Sequence, residues 1–94
     1  MKVEQTIEFR RWLIDLKDRR AAKKVNQRIL RLEAGNFGDA KYFGKIGELR
    51  INYGPGYRLY FARKGDVLVV LLCGGDKSSQ DADIARATML ATED

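Results

Sequence analysis

Apolar and polar residues alternate along two segments of the chain, residues 48–53 and residues 57–63. This period of two predicts a pair of strands that each bury one face. Gly54-Pro55-Gly56 supplies a three-residue turn between them, so the two strands are expected to form an antiparallel hairpin. The apolar face of the hairpin should face the core, and the exposed face should carry Arg50, Asn52, Arg58 and Tyr60.

Before the hairpin, apolar residues recur at the three- and four-residue spacing of amphipathic helices. Thr6 and Asp18 are suitable N-caps for two such helices, and Gly35 is suited to end the second. A short turn around Asp18 makes the two helices an antiparallel pair. The apolar positions are Phe9, Trp12, Leu13 and Leu16 in the first helix and Ala22, Val25, Ile29 and Leu32 in the second.

The remaining segments complete the predicted order of elements. Residues 2–5 are expected to form an edge strand, residues 35–47 a glycine-rich loop, and residues 67–73 a central strand that is apolar on both faces. Ser78 or Ser79 caps a final helix with few large apolar side chains. The predicted fold is α+β with the order β-α-α-β-β-β-α, in which an antiparallel sheet packs against an N-terminal helical hairpin.

Length and composition limit the possible functions. The 94 residues suffice for one domain, residues 1–94. No stretch reaches the roughly 18 apolar residues of a membrane span, and the N-terminus lacks a signal-peptide pattern, which predicts a cytoplasmic protein without a membrane partner. With a single cysteine, Cys73, and no histidine, the chain has no internal disulfide and no Ser-His or Cys-His nucleophile pair. We expect neither a metal site nor a cofactor.

Charge is distributed unevenly along the chain. Residues 1–64 hold 16 Lys or Arg and seven Asp or Glu, whereas residues 65–94 hold two and six. The net charge of +5 suits a polyanionic partner such as RNA, DNA, the ribosome or an acidic protein, with a merely solvated basic surface as the alternative. Lys23 and Lys24 belong to a basic run on the second helix, which predicts a solvated helix face first and phosphate contacts second.

The predicted turn would gather the polar residues of the hairpin into one group. With three residues in the turn, Asn52 faces Arg58 and Arg50 faces Tyr60, about 5 Å apart at Cβ. Lys77, just after the last strand, adds a third cation. Cations without carboxylate partners repel one another unless an anion lies between them, and a phosphodiester matches the paired donors of arginine. Tyr60 offers a ring on which an unpaired base can stack.

Each of these residues also has an ordinary structural explanation. Glu48 lies two residues before Arg50 on the same strand face, so these two side chains can simply pair. Arg58 can be a solvated strand residue, and Lys77 lies in a turn, where a surface lysine is common.

The order of elements and two sequence motifs resemble the RelE/ParE toxins of bacterial toxin–antitoxin modules. The resemblance is closest to the addiction module killer proteins, which are often grouped with HigB. The motifs are LRINYGPGYRLYF at residues 49–61 and VLLCGGDKSSQDADI at residues 70–84. The similarity extends over about residues 5–90 and implies a RelE-like fold.

The resemblance implies a toxin that cleaves mRNA on the ribosome without a metal ion and that a cognate antitoxin, usually a helix-turn-helix protein, neutralises. Matched to the family motif, Arg58 is the strand arginine that stabilises the scissile phosphate. Arg50, with Asn52 beside it, lies where members carry basic residues that position the phosphate. Lys77 lies where they carry a basic residue after the last strand. The predicted catalytic residues are Arg58, Arg50 and Lys77, and the predicted RNA contacts are Asn52, Tyr60, Lys23 and Lys24.

One part of the family pattern is not matched. The late tyrosine that several members use corresponds here to a region with Asp81 and Asp83, so the general acid and base are not assigned. Gyrase inhibitors of the same superfamily often lack the full set of residues, which leaves a gyrase-inhibiting toxin as one alternative. A non-catalytic module whose basic surface only receives the antitoxin is the other.

Overall fold

The protein is built around one five-stranded sheet. A computed structural model describes residues 1–93 of the chain. Asp94, the last residue of the predicted domain, lies outside the described residues. The strands are β1 (Lys2–Gln5), β2 (Ala40–Phe43), β3 (Ile46–Ile51), β4 (Tyr57–Lys64) and β5 (Leu68–Gly75). The helices are α1 (Ile7–Asp15), α2 (Arg19–Glu33) and α3 (Gln80–Thr92), and a 3₁₀ turn (Lys77–Ser79) precedes α3.

The sheet has the strand order β1-β5-β4-β3-β2 and is mixed. β1 runs parallel to β5, and all other neighbours are antiparallel. The α+β class is confirmed, whereas the wholly antiparallel sheet expected from the sequence is wrong. The N-terminal strand lies beside the last strand, and a parallel pair of this kind has no local sequence signal.

Residues 35–47 contain a strand that the sequence analysis assigned to a loop. β2 has only four residues and pairs with β3 through a tight turn at Gly44 and Lys45, where Gly44 has a φ of 61°. The order of elements is therefore β-α-α-β-β-β-β-α. Four glycines in thirteen residues suggested irregular structure, but one of them makes the turn and Gly47 lies inside β3 against Phe61.

Both predicted helix caps of the N-terminal hairpin are confirmed. The Thr6 hydroxyl accepts a hydrogen bond from the Phe9 amide (3.0 Å) and donates one to the Leu72 carbonyl of β5 (2.6 Å). The Asp18 carboxylate accepts hydrogen bonds from the amides of Arg20 and Ala21. These caps satisfy amides that a helix start leaves free, and Thr6 also fixes α1 to the sheet.

The helices α1 and α2 cover one face of the sheet and form the main core with it. Their apolar stripes meet the inward-facing residues of β3, β4 and β5, as the alternation pattern predicts. The buried residues of this core are Phe9, Val25, Ile29, Leu32, Leu49, Ile51, Leu59, Phe61, Val69 and Leu71.

Helix α3 covers the opposite face of the sheet, where the polar face of the hairpin was expected to be exposed. It packs on β3, β4 and β5 through the fully buried Ala87, and Arg86 forms a 2.7 Å ion pair with Glu8 of α1. The second core on this face consists of Ile46, Tyr60, Ala62, Leu72, Cys73 and Ala87. The hairpin therefore lies between two helical layers. None of the described helices is long and apolar enough to cross a bilayer.

The contact between α1 and β5 gives a direct test of this packing. A Cβ atom at Gly74 would overlap the Trp12 ring, so Gly74→Ala should force the indole away from the sheet. We expect the free energy of unfolding to fall by about 1–3 kcal/mol, the usual cost of overpacking a core. Urea unfolding measures the change. Lys45→Ala in the exposed β2–β3 turn is the control, with an expected change within about 0.5 kcal/mol. Equal stability of the two variants would contradict the packing described.

Candidate functional site

The register of the β3–β4 hairpin differs from the one expected. Ile51 pairs with Tyr57, so the connection contains five residues, 52–56, instead of three. The chain leaves the ladder directly after Ile51, where the Tyr53 amide donates to the Ile51 carbonyl at 2.8 Å. As a result Arg50 faces Arg58. The predicted pairs of Asn52 with Arg58 and of Arg50 with Tyr60 are wrong.

A wholly buried carboxylate lies at the centre of the polar face of this hairpin. Glu48 Oε1 accepts a 2.9 Å hydrogen bond from Nε of Arg50. Its Oε2 accepts hydrogen bonds from the Tyr60 hydroxyl (3.1 Å) and from Nε2 of Gln80 (3.0 Å). Nε of Arg58 lies 3.6 Å from the same oxygen. We call these five residues the Glu48 cluster.

The Glu48 carboxylate is held in its ionised form. Burial by itself raises the pKa of this group, but hydrogen bonds from Arg50, Gln80 and Tyr60 outweigh it, so the net pKa of Glu48 lies below its ordinary value. The pKa of Tyr60 is raised by burial and by the neighbouring Glu48 charge, which keeps the phenol protonated as a donor. The cluster therefore carries one anion and two guanidinium cations.

Glu48 determines how the two arginines are oriented. Directly opposed like charges destabilise an antiparallel pair, and the shared carboxylate offsets that repulsion between Arg50 and Arg58. Both arginines face Glu48 through Nε, and Nη1 of Arg58 donates to the Gly56 carbonyl at 2.8 Å. The Arg50 side chain is 38% exposed, against 9% for Arg58. Arg50 is thus the cation of the cluster that solvent or a ligand reaches most easily.

The expectation that these arginines lack a carboxylate partner is wrong, and the alternative that Arg50 pairs with Glu48 is confirmed. Arg50 and Arg58 share Glu48, because the alternation that places them on one face also places Glu48 there. Burial of that face beneath α3 then makes an ion pair necessary, since a buried charge without a partner is costly. Glu48, Arg50 and Arg58 together carry one net positive charge.

Lys77 lies near the same end of the sheet as the two arginines. Its amide donates to the Pro55 carbonyl in the β3–β4 connection at 3.3 Å, and Gly56 lies against its Cβ atom. Gly75, two residues before Lys77 at the end of β5, pairs with Arg58. The structure therefore brings the backbones of all three predicted catalytic residues together at the turn end of the hairpin, with the Lys77 side chain exposed.

The prediction that the Tyr60 ring stacks on an RNA base is wrong. The ring is wholly buried beneath α3 and the Tyr60 hydroxyl is bound to Glu48, so no base can stack on it. Lys23 and Lys24 are exposed on α2, and the Lys24 ammonium lies 5.2 Å from the centre of the Tyr53 ring. Asn52 is exposed just past the end of β3. These three polar residues remain available to a ligand.

A cleft between α2 and the end of β3 brings several of these residues together. Its volume is about 300 Å³. Only one of its cationic residues, Arg28, is buried, and its Nη atoms donate to the carbonyls of Arg50, Phe37 and Asp39. Side chains that line this α2–β3 cleft include Lys24, Gln27, Arg28, Arg31, Arg50 and Asn52.

Sequence reasoning missed the structural roles of Glu48, Gln80 and Arg28. The alternation that places Arg50 on the polar face of β3 also places Glu48 there. The burial of Glu48, however, depends on α3 covering that face of the sheet. Arg28 follows Val25 and precedes Ile29 on the inward side of α2, which is a signal that it is buried. Within the described residues, no group of three or more His, Cys, Asp or Glu side chains is arranged to hold a metal ion.

Replacement of Glu48 by the isosteric Gln tests the cluster. We expect Glu48→Gln to lower the free energy of unfolding at neutral pH by about 3 kcal/mol, because removing one partner of a buried ion pair leaves the other charge uncompensated. The folded-state pKa of Glu48 is lowered. Its charged form therefore stabilises the fold above the unfolded pKa of about 4.3, and this contribution is lost as pH falls through the folded value.

The difference in stability between wild type and Glu48→Gln should accordingly shrink on acidification below about pH 4. Urea unfolding over a pH series measures it. Glu33→Gln, at an exposed position of α2, is the matched control and should show little effect at any pH. A difference that does not depend on pH would show that the Glu48 charge is not what stabilises this face.

Comparison with known proteins gives one informative relative. An uncharacterized protein of Haemophilus influenzae is 52% identical over 94 residues, which cover 99% of this chain and 95% of the relative. No family model and no solved structure matches the chain. At that identity over nearly the full length of both chains, this protein belongs to the same family as the Haemophilus influenzae protein.

Proposed function

We propose that this protein is a toxin of a type II toxin–antitoxin module, of the RelE/ParE superfamily, that cleaves mRNA on the ribosome. The observation that carries the proposal is the pairing of Arg50 with Arg58 across the hairpin, beside Lys77. Two guanidiniums oriented by one carboxylate, with an exposed lysine at the same end of the sheet, form a cationic site suited to a phosphodiester. The sequence motifs around these residues support the same family.

The chemistry this site suits is attack of a ribose 2′-hydroxyl on the adjacent phosphorus. The new O2′–P bond forms as the P–O5′ bond breaks, which leaves a 2′,3′-cyclic phosphate and a free 5′-hydroxyl. Arg50 and Lys77 would contact the phosphate oxygens, on which negative charge increases in the transition state. Arg58, largely buried behind them, would add charge from a fixed position.

The buried titratable groups near the site, among the residues that the structure describes, are poorly placed to carry the proton transfers of this reaction. Tyr60 and Cys73 are buried, and burial raises the pKa of the Cys73 thiol to about 12. Glu48 is wholly buried with both oxygens hydrogen bonded, so we assign it a positioning role. The ribosome is the proposed source of substrate alignment and of the missing proton transfer, so we expect activity only on translated mRNA. A cognate antitoxin, by resemblance a helix-turn-helix protein, would neutralise the toxin.

A second candidate function is a non-catalytic module that binds its antitoxin. Two observations favour it: Arg50 and Arg58 already pair with Glu48 inside the protein, and the Arg58 side chain is only 9% exposed. Under this alternative the Glu48 cluster stabilises α3 on the sheet, and the basic residues of α2 receive an acidic segment of the partner.

Substitution of the exposed arginine distinguishes the two functions. Under the nuclease proposal, expression of the wild-type protein without antitoxin arrests growth, and Arg50→Ala relieves the arrest. Loss of one such charge typically reduces a rate by about 10²–10³-fold. Arg58→Ala should have the same effect, with circular dichroism to confirm that the variant folds. Arg63→Ala is the matched control, because Arg63 is exposed on β4 outside the Glu48 cluster and should leave the arrest unchanged.

The map of mRNA 5′ ends after brief induction identifies the reaction. New ends within translated codons, absent from the Arg50→Ala strain, are the expected result. Growth arrest that persists in folded Arg50→Ala and Arg58→Ala would refute the proposed site. Growth arrest with intact mRNA and lost DNA supercoiling would identify a gyrase inhibitor. If the wild-type protein causes no growth arrest, the non-catalytic antitoxin-binding module is the remaining function.

A further inference from the structure

The α2–β3 cleft has features that the Glu48 cluster does not explain. It forms where the β2–β3 ladder ends, because Ala40 of β2 pairs with Leu49 and nothing on that side pairs with the next residues of β3. Arg50 and Asn52 therefore border an open strand edge, which faces the basic side of α2. Arg50 also belongs to the Glu48 cluster, so the two sites are contiguous through this residue.

Positive charge in the cleft exceeds the negative charge that lines it. Lys24, Arg28 and Arg31 lie at four- and three-residue spacing on one side of α2, where like charges repel. Among the described residues none of the three forms an ion pair. Asp39 is the one carboxylate that lines the cleft. Such a concentration of cations favours an anion between them.

Arg28 supplies the second, independent observation. Its side chain is buried, with 8% of the residue exposed, and three backbone carbonyls hold its Nη atoms. Its Nε atom is buried without any hydrogen-bond acceptor within the described part of the chain. Buried donors of this kind are rare in proteins unless a ligand or water satisfies them. The guanidinium is thus fixed beside the cleft with one donor, Nε, unsatisfied.

The size and the neutral lining of the cleft indicate what accompanies the anion. About 300 Å³ is the lower end of the range for small-molecule pockets and exceeds what a phosphate ion needs. Gln27 and Asn52 add amide groups, which donate and accept hydrogen bonds at once. Amides of this kind suit a base edge or a ribose hydroxyl.

We propose that the α2–β3 cleft binds a nucleotide, with its phosphate group between Lys24 and Arg31 and with Gln27 and Asn52 on its neutral part. The site adjoins the proposed cleavage site, with which it shares Arg50, but nucleotide binding in the cleft does not require the cleavage chemistry. Its ligand can be one unit of an RNA chain or a free mononucleotide, because both present the same phosphate and base.

Titration of the isotope-labelled protein followed by amide NMR tests this site. The probes are adenosine 5′-monophosphate, inorganic phosphate and a short single-stranded oligouridylate, each added at low salt. We expect saturable shifts at the lining residues of the cleft and weakening of binding as salt is added. The double variant Lys24→Ala/Arg31→Ala should bind about tenfold or more weakly, as expected for the loss of two charge-assisted contacts. Arg10→Ala/Arg11→Ala, which removes two exposed charges of α1, is the control and should bind like wild type.

The three probes separate the sources of the ligand. Tighter binding of the nucleotide than of inorganic phosphate supports a nucleotide site, and a further gain with the oligouridylate identifies RNA as the source. Equal binding of nucleotide and phosphate would overturn the assignment of Gln27 and Asn52. No saturable shift with any probe, or an undiminished shift in Lys24→Ala/Arg31→Ala, would overturn the site itself. These outcomes are read from binding at the cleft alone, so they do not depend on whether Arg58→Ala still arrests growth.

Discussion

The ionised carboxylate of Glu48 is the interaction on which one whole side of the sheet depends. Burying such a charge is unfavourable unless donors surround it, and here they come from three elements: Arg50 on β3, Tyr60 on β4 and Gln80 on α3. The Arg58 guanidinium adds a positive charge 3.6 Å away. The helix α3 has few large apolar side chains with which to dock. The hydrogen bond from Gln80 therefore ties its first turn to the sheet at the point where the two guanidiniums are oriented. The position of α3 and the geometry of the arginines are coupled through one residue.

This coupling gives the basic surface its shape. Glu48 balances part of the charge of Arg50 and Arg58, so the two can face each other without forcing the strands apart. Arg50 also borders the α2–β3 cleft, where Arg28 joins α2 to the backbone of β3. Cationic groups thus continue from α2 across the end of β3 to the turn that holds Lys77. A linear polyanion fits such a path better than a single small anion does.

Local signals in the sequence predicted much of the fold and less of the site. The caps Thr6 and Asp18, the stripes of α1 and α2, and the alternation of β3 and β4 all depend on near neighbours. They are confirmed except at the start of α2, where Ala21 is buried instead of the predicted Ala22. The pairing of β1 with β5 and the covering of the hairpin by α3 depend on residues far apart in the chain. Because the covering was missed, Tyr60 was assigned to a surface and Glu48 to a simple pair with Arg50. The register was missed because Gly54 and Gly56, both at positive φ, allow the chain to leave the ladder early.

The parallel pairing of β1 with β5 has a consequence for how the chain is made. Residues 2–5 leave the ribosome before the other strands of the sheet, yet their partner strand begins only at Leu68. A pair so distant in sequence closes a very long loop, which makes it a late event in folding. The hydrogen bond from the Thr6 hydroxyl to the Leu72 carbonyl likewise cannot form before Leu72 has been synthesised. Nascent chains of this protein therefore carry β1 unpaired until β5 has also left the ribosome, and the sheet cannot be complete before then.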